Sequence, residues 1–260
     1  MTLKEIIQLL EQFSPPPLAM DWDKSGLQCG RLGQDIQSIM VAVDATEDVI
    51  KQAVEKKVDL LVTHHPFLFS SLTSVTDEGT KGSLVYELIE HKIACYSMHT
   101  NYDVSGMGEA AAKRLGITNA GVLELTFAQD GFKAGIGRVG LLPKTMTLKN
   151  CAVYVKEVFG LDSVRVFGDL RKKIKIAAVC PGSGKHMAKY ALKTGADVLI
   201  TGDIDHHEGI DAVAEGLAVI DAGHYGIEKI FVEDITKVLN KQLPGLKVMA
   251  AKEKAPFVTL

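Results

Sequence analysis

The sequence predicts an α/β protein of two similar lobes, an internal pseudo-repeat with mostly parallel or mixed sheets. Three observations lead there. Continuous apolar, strand-like runs alternate with amphipathic helical patterns, as expected of parallel strands covered on both faces by crossover helices. The pattern then recurs: Asp59-Leu60-Leu61-Val62-Thr63-His64-His65 aligns with Asp197-Val198-Leu199-Ile200-Thr201-Gly202-Asp203, and Ile93 to His99 parallels Leu217 to Gly223. A length of 260 residues also lies where one hydrophobic core stops growing and a chain tends to divide. We place the lobes at residues 1–127 and 128–260. Polar residues at equivalent strand ends would then converge in one crevice, where open α/β sheets bind ligands.

The elements follow in order. Thr2 and Glu5 make a capping box, and Leu3, Ile6, Ile7, Leu10 and Phe13 share one helical face until Ser14-Pro15-Pro16-Pro17 forbids continuation. A loop rich in turn residues, Asp21 to Gly30, leads to a buried strand over Ile39 to Val43. A helix from about Thr46 to Lys57, a strand Asp59 to Thr63, a helix Gly82 to His91 and a strand Ile93 to Ser97 come next. A loop through Asp103 and a short helix ending near Gly116 close the first lobe's pattern. Between residues 119 and 170, strands at Ala134 to Leu142 and Ser163 to Phe167 flank a helix Leu148 to Phe159. The earlier rhythm then returns as strand Ile176 to Val179, helix His186 to Thr194, strand Asp197 to Thr201, a helix from Gly209 and strand Leu217 to Asp221. A long final helix begins near Tyr225.

Composition sets the class. The chain is 47% hydrophobic and 23% charged with a formal charge of −3, which describes a globular protein and gives no bulk electrostatic reason to bind nucleic acid or a membrane surface. Glu5 and Glu11 interrupt the apolar amino terminus, so it reads as a helix and not a signal peptide. No apolar run approaches the roughly 18 residues of a spanning helix. Cys29, Cys95, Cys151 and Cys180 are far apart, with no C-x-x-C pair, and are read as reduced groups in a cytoplasmic protein.

Three short segments carry chemistry. Thr63-His64-His65-Pro66 puts adjacent imidazoles after a buried strand; side chains that diverge along an extended segment suit two neighbouring metals better than one, although a buried structural histidine gives the same pattern. In His99-Thr100-Asn101-Tyr102-Asp103, the aspartate offers an oxygen ligand or a helix cap. In His224-Tyr225-Gly226-Ile227-Glu228, the i, i+4 spacing puts an imidazole and a carboxylate on one helical face, as a ligand pair or a surface ion pair. Taken together, one histidine, one aspartate and a shared glutamate make one metal site, and the other two histidines with that glutamate make a second. A bridging carboxylate holds two cations at the roughly 3.5–4 Å separation used by two-metal hydrolases. Pro181-Gly182-Ser183-Gly184-Lys185 is no phosphate-binding P-loop, because Val179 stands at the first glycine and His186 replaces the Ser or Thr; it reads as a strand-to-helix turn.

The motifs Trp22 to Gly30, Thr63 to Phe69, His99 to Asp103, Gly137 to Gly140, Thr201 to His207 and Asp221 to Glu228 resemble, in order, those of the GTP cyclohydrolase 1 type 2 homologues, within the Nif-three-like group. The resemblance spans nearly the whole chain. It implies two divalent ions per subunit, of zinc, iron, manganese or cobalt, one bound by His64, Asp103 and Glu228 and the other by His65, His224 and Glu228. It also implies a toroidal homohexamer with interior-facing sites, and a small-molecule substrate of the nucleotide kind. The matching activity is hydrolytic opening of GTP at C8 with release of formate, with His99 or His207 as the proton carrier. His207 is similar to a recurring family histidine; Asp203 is a further candidate near the crevice, His206 is expected to be exposed, and Trp22 and Asp23 are expected either to close over the site or to pack locally. The chain departs from the family pattern at Ile227, where Ser or Thr is usual, and at Glu109, where Asn is. It also passes directly from Leu125 to Gly135, without the inserted domain of longer members. The alternative reading is a metal-containing ring-shaped scaffold that presents surfaces to other proteins.

Overall fold

Helix α1 (Leu3–Phe13) opens with the expected capping box: Glu5 N–H donates to Thr2 Oγ1 at 3.3 Å, and Thr2 N–H donates to the Glu5 carboxylate at 2.8 Å. Its buried stripe is Leu3, Ile6, Ile7 and Leu10, and the proline run beyond Ser14 forms a 3-10 turn at Pro16–Leu18. Strand β1 (Gly26–Cys29) lies where the sequence suggests only loop. There follow β2 (Ser38–Ala42), α2 (Glu47–Glu55), β3 (Leu60–Thr63), α3 (Thr80–Glu90) and β4 (Ala94–Ser97), each close to its expected place. Every residue of β2, β3 and β4 is buried, as parallel strands covered on both faces require, and the three do pair in parallel. Met40, Val49, Ile50, Leu61 and Leu88 share one core cluster between these strands and their helices.

From Thr100 the chain is helical and not a loop. Helix α4 (Thr100–Tyr102) continues into a π-helical stretch, Asp103–Met107, and then α5 (Gly108–Arg114). Asp103 therefore sits inside a widened helical turn and is no N-cap; such π-turns recur at functional sites. Strands β5 (Thr118–Gln129) and β6 (Phe132–Thr147) then form a long hairpin. The sequence reading recognises only part of β6 and misses β5. Asp130 and Gly131 turn the hairpin with φ of 50° and 81°, the combination that a two-residue type I′ turn needs.

Helix α6 (Leu148–Phe159) is capped by Thr147 and stopped by left-handed Gly160. It is followed by β7 (Arg165–Phe167), β8 (Lys173–Ser183), α7 (Ala188–Lys193), β9 (Val198–Gly202), α8 (His206–Ala214) and β10 (Ala218–Asp221). Helix α8 starts before the expected Gly209 because Asp205 caps it, accepting from Glu208 N–H at 2.9 Å. This sheet runs β5-β6-β8-β9-β10-β7, with β8, β9 and β10 parallel.

The long final helix is two helices, α9 (His224–Glu228) and α10 (Ile230–Gln242), separated at Lys229. Strand β11 (Lys247–Ala250), absent from the sequence reading, pairs in parallel with β2 and completes the order β1-β4-β3-β2-β11. The computed structural model describes residues 1–259, in two units: Met1–Tyr102 with Phe231–Lys254, and the stretch from Asp103 to Ile230 with the chain end from Ala255. Each unit holds one sheet with a βαβαβ core, and the repeat extends to single atoms. In the first unit Asp59 Oδ2 accepts the N–H groups of Gln37 and Ser38, each at 2.9 Å; in the second, the aligned Asp197 Oδ2 accepts those of Lys175 and Ile176, at 2.8 and 2.9 Å. Among the described residues no helix is long and apolar enough to cross a membrane.

Candidate metal centre

In the first unit, β3 ends at Thr63 and delivers His64 and His65 to the carboxyl edge of the parallel strands. Their N–H groups donate to the carbonyls of Ala42 and Val43 at 3.0–3.2 Å, which fixes the dipeptide against the loop after β2. His64 is fully buried, and its Nδ1 lies 2.8 Å from the Met98 carbonyl. A carbonyl only accepts, so Nδ1 carries the proton and Nε2 is the basic nitrogen of the ring. His65 Nδ1 lies 2.9 Å from Asp44 Oδ1, which sets the same tautomer. The two rings are 4.8 Å apart at 43°, so they do not diverge as side chains of an extended strand would; the chain bends after Thr63.

His99, just past β4, joins this group with ring centroids 5.4 Å from His64 and 5.6 Å from His65. Its Nδ1 is 2.6 Å from Asp23 Oδ1. The other Asp23 oxygen accepts from Thr100 N–H at 3.1 Å, Thr100 Oγ1 at 2.6 Å and the Ser25 hydroxyl. Burial pushes the Asp23 carboxyl up, but the hydrogen bonds from His99, Ser25 and Thr100, with the His99 charge, outweigh it and hold the group well below the usual carboxylate range. Asp23 is thus an ionised acceptor, and it fixes the His99 proton on Nδ1.

In the second unit, α9 turns His224 and Glu228 to the same side, with His224 Nε2 3.0 Å from Glu228 Oε2. That separation is a direct contact between the imidazole and the carboxylate. His224 Nδ1 lies 2.8 Å from Asp203 Oδ2. Glu228 is only 3% exposed, and glycine makes room for it: a Cβ on Gly182, which has φ of +78°, would stand 2.3 Å from Glu228 Oε1. Asp221, at the end of β10, accepts from Gly223 N–H at 2.9 Å, Ile204 N–H at 3.1 Å and the Arg165 guanidinium, and so shapes the turn that starts α9. Burial, followed by the charges of Asp103, Glu124 and Glu228, pushes the Cys180 thiol far up.

The first unit thus gathers His64, His65 and His99, and the second pairs His224 with Glu228. His64 and His65 in the first unit, and Glu228 in the second, are of the donor types, imidazole and carboxylate, that hold divalent metal ions. His207 lies on the first turn of α8, exposed, its ring 5.2 Å from the equally exposed His206. The unusual Glu109 has a partner in Arg138 of the Gly137 to Gly140 motif, at 3.3 Å. The sequence reading misses Asp44 and Glu253. Glu253 accepts from Val43 N–H at 2.9 Å and Asp44 N–H at 3.1 Å, and burial pushes its carboxyl up. Asp44 had a signal, since it stands just past the end of β2 as His64 and His99 stand past β3 and β4. Glu253 had none, because its partners are more than two hundred residues away.

These features define an α/β protein that collects imidazoles and carboxylates at the carboxyl ends of parallel strands. The profile of the Duf34/NIF3 (NGG1p interacting factor 3) family matches residues 1–256, and the chain belongs to this family. It is 40% identical over 248 residues to a protein of Streptococcus pneumoniae named GTP cyclohydrolase 1 type 2 homolog, covering 93% of this chain and 91% of that one. A protein of the same name from Clostridium acetobutylicum is 38% identical, with 94% and 90% covered. Among solved structures, reduced HcgD from Methanocaldococcus jannaschii is 31% identical with a TM-score of 0.83 over 97% of this chain and 98% of that one. A Bacillus cereus protein related to NIF3 shares the fold at a TM-score of 0.95 and 24% identity, over 100% and 99% of the chains.

Proposed function

We propose that the chain is a dinuclear divalent-metal hydrolase acting on a small molecule of the nucleotide class. His64, Asp103 and Glu228 hold one ion, and His65, His224 and Glu228 hold the other. The observation that carries this reading is the state of the three imidazoles. Nδ1 of His64, His65 and His224 is bound to Met98 O, Asp44 and Asp203 respectively, the outer contact by which proteins fix the tautomer and aim of a metal-ligating histidine. The mixed nitrogen and oxygen donors suit zinc, iron, manganese or cobalt. Bound cations would supply Lewis-acid polarisation and a water acidic enough to ionise near neutral pH.

His99 receives and returns a proton at Nε2 while Asp23 keeps Nδ1 protonated, and His207 is the second candidate for that task. The name borne by the relatives suggests the reaction, opening of the GTP imidazole ring with loss of formate. The subunits assemble as a toroidal homohexamer in the cytoplasm.

Elemental analysis of native protein with an anomalous-scattering map tests the metal reading; two ions per subunit are expected, and density for none beside His64 and Glu228 refutes it. Light scattering tests the ring. Metal-reconstituted protein incubated with GTP should release formate and a pterin chromophore, and silence across manganese, iron, cobalt and zinc removes this substrate. Glu228→Gln should abolish turnover with the assembly retained, whereas loss of the assembly assigns the metals a structural role.

A further inference from the structure

Beside the histidine cluster of the first unit, two large aromatic rings face solvent. Trp22 is 55% and Phe69 is 51% exposed, although Phe67, two residues earlier, is buried. Their centroids are 6.2 Å apart, and His99 stands edge-on to both, 5.9 Å from Trp22 at 73° and 6.5 Å from Phe69 at 84°. Aromatic side chains left exposed side by side run against the drive to bury apolar surface, and such patches commonly mark a place where something binds.

The rings are exposed on a held backbone. Leu68, next to Phe69, has its N–H bound by Gln28 Oε1 at 3.1 Å, and Lys81 Nζ donates to the Phe67 carbonyl at 3.0 Å. On the other side, Met20 N–H donates to Thr100 Oγ1 at 2.9 Å and Asp23 N–H to the Met20 carbonyl at 2.9 Å, which ties down the turn that carries Trp22. The polar element is equally fixed. The Asp23 side chain is 1% exposed and the His99 side chain 16%, so the imidazole is locked through Nδ1 and has Nε2 as its remaining hydrogen-bonding atom. The Trp22 and Phe69 planes are inclined at 59°, so a flat ligand stacked on one ring meets the other edge to face, and the oriented ring nitrogen suits heteroatoms on the ligand's rim.

We propose that Trp22 and Phe69 form a stacking platform for a planar nitrogen heterocycle of the nucleobase kind, and that His99, held by Asp23, hydrogen-bonds the edge of that ring through Nε2. The proposal rests on the hydrolase reading only for what the bound molecule then undergoes; it names the part of the substrate recognised. Asp23 is a positioning residue, and Phe69 and Trp22 are contacts.

Trp22 is the only tryptophan of the chain, so emission excited selectively at the tryptophan band, beyond tyrosine absorption, reports on this position alone. Metal-loaded protein is titrated with guanosine and GTP, and in parallel with ribose 5-phosphate and inorganic triphosphate, with free tryptophan as the optical control. Saturable quenching by the two heterocycles and none by the other probes is expected. Phe69→Ala should weaken binding about 5- to 100-fold, the range for losing one stacked ring, and Phe69→Tyr should restore it. Asp23→Asn should change the relative affinity for guanosine and inosine, which a merely structural role would leave alone. Absence of saturable quenching, unchanged affinity in Phe69→Ala, or emission that follows protein concentration instead of ligand overturns the platform. Metal content is measured on the same samples: full metal without quenching defeats the platform alone, and quenching without metal defeats the hydrolase reading alone.

Discussion

Gly182→Ala separates the seat of Glu228 from ordinary backbone strain. The added Cβ would stand 2.3 Å from Glu228 Oε1 and 3.3 Å from its carboxyl carbon. A carbon–oxygen contact relaxes only near 3.3 Å, so the carboxylate must retreat by about 1 Å. Glu228 now lies 3.0 Å from His224 Nε2, and a shift of that size removes it from the place where both can ligate one ion. The positive φ of +78° adds a cost of about 1–2 kcal/mol for any residue with a Cβ. Gly195→Ala is the matched control, because Gly195 has φ of +71° and nothing within 4 Å of its Cβ. Both variants should lose about 2–8 °C in Tm. In calorimetric titration of metal-free protein, only Gly182→Ala should lose divalent-ion affinity, by about 10- to 100-fold, as when an outer contact of a metal ligand is broken. Equal affinity in the two variants would show that the position of Glu228 does not govern metal binding.

Asp44→Asn and Asp203→Asn should each weaken metal binding about 10-fold or more in the same titration and change unfolding free energy by less than about 0.5 kcal/mol, since these carboxylates are half exposed and act by orienting His65 and His224. Asp221→Ala should behave in the opposite way at the level of stability. It strips one buried and one half-buried N–H group and the Arg165 guanidinium of their acceptor, at about 2–4 kcal/mol by urea unfolding, and a loss below about 0.5 kcal/mol would refute the role assigned to it. Asp23 predicts an acid limb. Its folded carboxyl ionises below the unfolded value of about 3.9, so its contribution is complete above that pH and disappears as pH falls through the lower folded value. The gap in urea midpoint between wild type and Asp23→Asn should therefore narrow below about pH 4, and a constant gap would contradict the assignment.

The elements legible in the sequence are those whose signal is local. The Thr2–Glu5 box, the Thr147 cap with Gly160 behind α6, and the wholly buried runs of β2, β3 and β4 each declare themselves within a few residues. Strands β1 and β11 have no wholly buried run and are strands only because β4 and β2 supply their partners from far along the chain. Strand β5 is mostly exposed and so lacks apolar alternation, yet Asp130-Gly131 was a hairpin signal that could have revealed it. The short helix ending near Gly116 was legible, but the helical course of residues 100–107 before it was hidden by Gly106 and Gly108. Packing explains Gly108: a Cβ there would come within 3.0 Å of the Gly137 backbone, so helix propensity yields to a close backbone approach.

At the candidate centre, the histidines were legible because strand ends are, while the groups that aim them were not. The structure supplies a rule for finding such groups. Asp44 orients His65 and Asp203 orients His224, and in both pairs the two residues are 21 positions apart. In the first unit the acid follows β2 and the imidazole follows β3; in the second the acid follows β9 and the imidazole follows β10. Adjacent parallel strands lie about 4.8 Å apart, so residues just past their carboxyl ends are within reach of a direct side-chain hydrogen bond, and one crossover helix fixes how far apart they fall in sequence. The device requires that the two strand ends stay level. A one-residue slip of β3 against β2, or of β10 against β9, would turn the imidazole to the other face of its sheet, so the buried parallel register and the aim of these imidazole nitrogens are one constraint.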